Sequence, residues 1–255
     1  MSDSLKTHRV RRDPVSKDDL PLPPPKIRCG DSRFREDDFY LRSGAATVRL
    51  LEDLCGLEPE MRLLDVGCGC GRLLTGLLGE IGLLREYVGV DFDRRAINWA
   101  KRRLEDADLG ITFHRVDVLN ERYNPKGASH LPETFLPVPD ERFDRVVAMS
   151  VFGHMRLGDI RRYLDEIRRA LAPGGKVCLS LFAEYGVSVK EENLEGLQRS
   201  WLGRLHRIRI HRHRFEEHVY AAGLQVDSFR HRNLSDGQST YVLSAAGVDE
   251  APGAA

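Results

Sequence analysis

A short apolar stretch that runs into alternating glycine and cysteine limits what this chain can fold into. Arg62-Leu63-Leu64-Asp65-Val66 reads as a strand, and Gly67-Cys68-Gly69-Cys70-Gly71 follows it directly. A helix opens there, with Leu73, Leu74, Leu77 and Leu78 on one face. Glycines at such a junction let the backbone turn sharply and approach a ligand with no Cβ in the way. The helix start adds N–H groups that lack partners. Strand, glycine turn and helix make the first half of a βαβ unit, which predicts a parallel sheet.

The rhythm continues along the chain. Glu86–Asp91 predicts a second strand, and residues 93–104 an amphipathic helix with Ala96, Ile97 and Ala100 inward. Strands are expected at Ile111–Val116, Phe143–Met149 and Lys176–Phe182, the last preceded by a helix over 157–171 and a Pro-Gly-Gly break. An earlier helix is expected over 44–56, stopped by Gly56. Near the C-terminus, a helix over 216–223 precedes strand candidates Leu224–Phe229 and Ser239–Ser244. Their polar connector lets them pair antiparallel at the sheet edge. Pro14, Pro21 and Pro23 to Pro25 sit among charges with no apolar period, so residues 1–38 read as a flexible or strap-like segment. Residues 39–246 read as the folded domain and 247–255 as a disordered tail.

Several function classes are set aside by composition. No eighteen-residue apolar run exists, which excludes a membrane-spanning helix, and the N-terminus has no apolar signal region. The 39 basic and 39 acidic side chains cancel, which gives no general case for nucleic acid or membrane as partner. Cysteines are odd in number, and Cys68 and Cys70 lie one residue apart where a zinc pair wants two, so free thiols in a cytoplasmic protein are expected and no metal.

Asp91 ends the second strand and is placed to accept hydrogen bonds from ribose hydroxyls. Two cofactor types fit a glycine turn with such an acid. A dinucleotide fold wants G-x-G-x-x-G, but Arg72 holds the third glycine's place and the glycine comes one residue early. Asp65, two residues before the first glycine, suits a cationic ligand and would repel a pyrophosphate. Asp117, after the third strand, is placed to accept from an exocyclic amine. S-adenosylmethionine has the matching groups: ribose, adenine, ammonium and sulfonium, with no phosphate.

LLDVGCGCGRL (63–73), YVGVD (87–91), VDVLN (116–120), FDRVVAMSVFGHM (143–155) and LAPGGKV (171–177) occur in that order. Together they resemble the class I S-adenosylmethionine-dependent methyltransferase family over roughly Tyr40 to Ser244. The resemblance implies an α/β, Rossmann-like, doubly wound seven-stranded sheet with an antiparallel last strand. It implies S-adenosyl-L-methionine as cofactor, with Gly67, Cys68, Gly69, Gly71, Asp91, Phe92, Asp117, Val118 and Ser150 around it. YLRSG (40–44), containing Arg42, looks like the segment before the first helix that closes over the methionine end. Asp65 either meets the ligand ammonium through water or braces the loop.

Acceptor chemistry is less constrained. A hydroxyl acceptor must lose a proton, and His154, in the SVFGH run after the fourth strand, is the best-placed base. Alternatively it only holds that turn. Arg199 to Arg214 carries six arginines and three histidines with no acid, and reads as solvated surface, as an anionic acceptor site or as a nucleic-acid contact. Tyr123, Asn124 and Phe135 in the insert 120–139 are candidates to wall the acceptor site. The base-methylating Asn/Asp-Pro-Pro-Tyr run is replaced by Ser150-Val151-Phe152-Gly153, and no Cys follows a Pro. A small-molecule acceptor is therefore expected, methylated on oxygen or nitrogen. The alternatives are RNA methylation or an inactive binding module on the same fold. Oligomeric state is left open.

Overall fold

The inner positions of the first two strands, Leu63-Leu64 and Tyr87-Val88-Gly89-Val90, carry no charge, as strands covered on both faces require. The computed structural model describes residues 14–30, 32–120, 124–128, 132–188, 190–192 and 208–247. They fall into two units, residues 1–119 with 123–137 and residues 120–122 with 138–255. Among the described residues, no helix is long and apolar enough to cross a membrane.

In the first unit, β1 (Arg62–Val66), β2 (Glu86–Asp91) and β3 (Ile111–Arg115) pair in parallel, with β2 in the middle. Leu63, Leu64, Tyr87, Val88, Val90, Ile111 and Phe113 are buried there. Each buried aliphatic side chain contributes roughly 1.5–3 kcal/mol. Helices α1 (Asp37–Cys55), α2 (Arg72–Glu80) and α3 (Arg94–Arg103) supply the covering apolar faces. Asp93 caps α3 by accepting from the Arg95 and Ala96 N–H groups, and basic residues fill its last turn.

Helix α1 starts well before residue 44, so YLRSG lies inside it and not ahead of it. Asp37 and Asp38 in its first turn favour that earlier start. Gly44 in mid-helix is tolerated because α1 and α2 cross there: a Cβ on Gly44 would lie 2.7 Å from the Arg72 carbonyl oxygen, and one on Gly76 2.4 Å from the Gly44 carbonyl carbon. Residues 14–30 pack on the same unit. Val15 and Leu20 are buried, and the Val15 N–H donates to the Leu78 carbonyl at 2.7 Å.

In the second unit, β4 (Phe143–Ala148) pairs in parallel with β5 (Leu171–Glu184), and α4 (Leu157–Ala170) connects them. Strand β9 (Ser239–Ala245) runs antiparallel to both β5 and β8 (Leu224–Arg230), so the C-terminal pair joins through β9. Nine strands are present among the described residues, two more than the seven expected. The additions are β6 (Lys190–Glu192) and β7 (Ile208–His211), an antiparallel pair whose β7 extends the far end of β5 in parallel. Ile208 and Ile210 are fully buried, so this part of the Arg/His-rich run is a strand of the fold and not exposed surface. Helix α5 (Arg212–Ala221) begins four residues before the expected 216.

The α1–α2 crossing yields a stability prediction. Gly76→Ala forces two backbones apart and should cost about 1–3 kcal/mol in urea unfolding. Gly186→Ala, where a Cβ would meet nothing within 4 Å, should change stability by less than about 0.5 kcal/mol. Equal effects of the two would show that the crossing has slack.

Candidate functional site

Three glycines of the loop take left-handed backbone: Gly67 at φ 79°, Gly69 at 55° and Gly71 at 82°. Side-chain-bearing residues rarely adopt that region, so the alternation is a conformational requirement. Gly71 also has no room, since a Cβ would lie 2.6 Å from Leu104 Cδ1. At Gly69 a Cβ would meet nothing within 4 Å, so that face of the loop is open to a ligand. Cys68 and Cys70 are buried, and all five cysteines are free.

The loop is stitched to the end of β2. Gly67 and Cys68 donate their N–H groups to the Val90 carbonyl at 2.8 and 3.2 Å, and Gly71 donates to the Cys68 carbonyl. Gly69 donates to Asp91 Oδ2 at 2.8 Å, while Asp93 donates to Asp91 Oδ1 at 2.8 Å. These loop N–H groups are therefore used within the protein, contrary to the expectation of an open backbone cradle. Burial pushes the Asp91 pKa up, and the N–H donors from Asp93 and Gly69 pull it back.

Behind the loop, Asp65 is buried and accepts from the Tyr87 hydroxyl at 2.6 Å. Asp117 is exposed; its Oδ1 accepts from Arg115 Nη2 at 2.7 Å and from Asn124 Nδ2 at 3.1 Å. Asn124 also donates to the Val118 carbonyl, and Arg115 to the Phe92 carbonyl. Asn124 thus braces the end of β3. Arg42 lies exposed on α1. Arg72, one residue after the loop, donates to the Ser43 carbonyl and to Thr47 Oγ1, both at 3.0 Å, tying α1 to the glycine turn.

Ser150 and His154 belong to the second unit. Ser150 is a non-glycine residue at φ 60°. Its N–H donates to Ser180 Oγ and its hydroxyl accepts from Gln238 Nε2, both at 2.8 Å. Gln238 is buried and also accepts from Ser180, so a polar triad holds the strained residue in place. His154 closes the short 3-10 turn Phe152–His154, and its carbonyl accepts from Asn120 Nδ2 at 3.0 Å. Of the Arg/His-rich run, Arg212 pairs with Glu216 and Arg214 with Glu217, which weakens the anionic-acceptor reading for these two. Residues 199–207 and Tyr123 lie outside the described residues. Sequence patterning gave no signal for Arg115, Gln238 or Ser180, whose partners are remote in the chain or lie in loops without periodicity.

Burial pushes the Asp65 carboxyl up to about 6, with Tyr87 and Arg72 opposing and Asp91 reinforcing. An acid whose folded pKa exceeds its unfolded value near 3.9 costs stability as pH rises through that interval, fully so above the folded value. Asp65→Asn should therefore be the more stable form near neutral pH, by on the order of 2 kcal/mol, with the gap closing below about pH 4. Urea titrations of both forms across pH check this; curves that stay parallel would show that Asp65 titrates normally.

A profile described as a methyltransferase domain matches residues 36–228. The demethylmenaquinone methyltransferase of Thermus thermophilus is 32% identical over 130 residues, covering 51% of each chain. This chain spans about half the length of the curated relatives it matches. Among solved structures, the [4+2]-cyclase SpnF aligns at TM-score 0.56 and 18% identity, over 79% of this chain and 81% of that one. The amino pentose methyltransferase CalS10 of Micromonospora echinaspora aligns at 0.53 and 17%, over 81% and 92%. These structural likenesses bear out the Rossmann-like α/β fold with antiparallel final strands. With the profile covering most of its length and the glycine loop and strand-end acids in place, the chain belongs to the class I S-adenosylmethionine-dependent methyltransferase family.

Proposed function

We propose that this chain transfers the methyl group of S-adenosylmethionine to a small-molecule acceptor through oxygen or nitrogen. One observation carries the cofactor reading: the loop N–H groups of Gly67, Cys68, Gly69 and Gly71 are already bonded, and the carboxylates of Asp65 and Asp91 lie against the loop. A pyrophosphate needs open N–H groups and, apart from a ribose acceptor such as Asp91, no anion as near as Asp65. A phosphate-free, cationic nucleoside needs neither. Bound there, the cofactor supplies an activated methyl group on a sulfonium.

Asp91 accepts the ribose hydroxyls. Each carboxylate oxygen can accept twice, so the bonds from Gly69 and Asp93 leave capacity on both. Asp117 presents Oδ2 to the adenine amine while Arg115 and Asn124 hold Oδ1. Asp65, bonded to Tyr87, braces the loop and adds negative potential behind it. His154 removes the acceptor proton, and in-line placement of acceptor and methyl group supplies most of the acceleration. The reading extends to a cytoplasmic protein acting without nucleic acid or membrane. A second reading comes from the likeness to a cyclase: a catalyst or binding module on this fold that holds the cofactor without methyl transfer.

Calorimetry with S-adenosylhomocysteine tests the cofactor site. Wild type should bind, and Asp91→Ala should bind at least about tenfold more weakly through lost hydrogen bonds to a charged acceptor. Because Asp91 also ties down Gly69 and Asp93, urea unfolding of Asp91→Ala is measured alongside, so that loss of the loop is separated from loss of the ribose contact. No binding by folded wild-type protein would sink the proposal.

The acceptor is found by a methylation screen of cell extract fractionated by size, and binding without turnover on any fraction would favour the second reading. With that acceptor, His154→Ala should keep cofactor affinity, lose about 10²–10⁴-fold in turnover and lose the acid limb of the pH–rate profile. A drop below about fivefold with the limb kept would make His154 structural.

A further inference from the structure

We propose that residues 14–30 form one wall of the cofactor site and that Arg28 is the residue that positions it; this rests on the cofactor reading above. Arg28 has a side chain only 2% exposed. Its guanidinium is met on every side: Nε donates to the Pro23 carbonyl at 2.8 Å, Nη1 to the Phe34 carbonyl at 3.0 Å, and Nη2 to Asp37 Oδ1 at 2.5 Å. Its face lies 4.8 Å over the ring of Tyr40. Burying a cation is costly unless its donors are all paired, so this arrangement holds one geometry and resists neighbouring ones.

The contact continues into the glycine loop. Tyr40 is buried, and its hydroxyl meets Cys70 Sγ at 3.5 Å. On the other side of Arg28, Cys29 donates to Asp93 Oδ2 at 3.6 Å, and Asp93 in turn donates its N–H to the ribose-binding Asp91. Upstream, the Val15 N–H is bonded to the Leu78 carbonyl, and Leu20 Cδ1 covers Gly79. The segment is thus fixed on α2 at one end and beside Asp91–Asp93 at the other, with Arg28 as the pin at the second. Arg28 is a positioning residue in this arrangement. It acts through Tyr40 on Cys70 and by placing Cys29 at the acid end of β2, so its loss should act mainly on how fast the cofactor leaves.

Full-length protein and S-adenosylhomocysteine give the test. Arg28→Ala should weaken binding about tenfold, chiefly by a faster dissociation rate. Arg49→Ala, which removes an exposed ion pair between α1 and Glu80 of α2, should leave binding unchanged. Cys29 is the exposed one of the five cysteines, and burial together with Asp93 pushes its thiol up to about 12, so its slow alkylation by N-ethylmaleimide at alkaline pH reports on the wall. S-adenosylhomocysteine should slow alkylation in wild type and not in Arg28→Ala. Unchanged affinity in folded Arg28→Ala, an equal loss in Arg49→Ala, or alkylation of wild type indifferent to ligand would each overturn the inference while leaving the cofactor reading intact. If Arg28→Ala does not fold, the wild-type protection measurement decides alone. Wild type that fails to bind sinks the cofactor reading and this inference with it.

Discussion

The hydrogen bond from the Gly69 N–H to Asp91 is the constraint on which the glycine turn of the first unit depends. It joins the turn after β1 to the last residue of β2, and two further N–H groups, of Gly67 and Cys68, fasten the same turn to the Val90 carbonyl. Three left-handed residues within five are needed for the chain to make that turn, and only glycine adopts them without strain. Once the turn is made, its electrostatics follow. Its donors face inward, two carboxylates lie close by, and the open face at Gly69 suits a cation better than an anion.

Stability is given up around this site. Asp65 and Asp91 are acids whose pKa values burial pushes up, so ionising either one costs folding stability at neutral pH. Tyr87 and the N–H groups of Gly69 and Asp93 offset part of that cost. In the second unit, Ser150 carries backbone strain of its own, held by Ser180 and Gln238. The α1–α2 crossing shows the opposite case, with Gly44 and Gly76 serving packing alone.

Arginine is used as a tie throughout the first unit. Arg28 joins the N-terminal segment to α1, Arg72 joins α1 to the loop, and Arg115 joins the end of β3 to the Phe92 carbonyl. Each spans two elements because a planar fork of donors can serve carbonyls and carboxylates at once. An excess of arginine over lysine in the composition gave no hint of this division of labour.

Strands β1 to β5, helices α2 to α4 and the glycine loop were legible in the sequence because their signals are local: period, glycine spacing and an acid at a strand end, all within a few residues. Asp65, Gly67, Gly69, Asp91 and Asp117 fell at the ends of β1, β2 and β3 for the same reason. What the linear pattern missed has long-range causes. The passage of α1 through Gly44 depends on that glycine meeting Gly76, and the burial of β7 within an arginine-rich run depends on pairing with residues 182–184 of β5. Asn124 bracing Asp117 and Gln238 holding Ser150 require chain ends and loops to meet across 7 and 88 positions. Sequence alone determined where β1 to β5 and α2 to α4 form and which chemistry their ends carry, since both follow from neighbours along the chain. Tertiary structure decided which donors remain open to a ligand, because that depends on groups brought together only by folding.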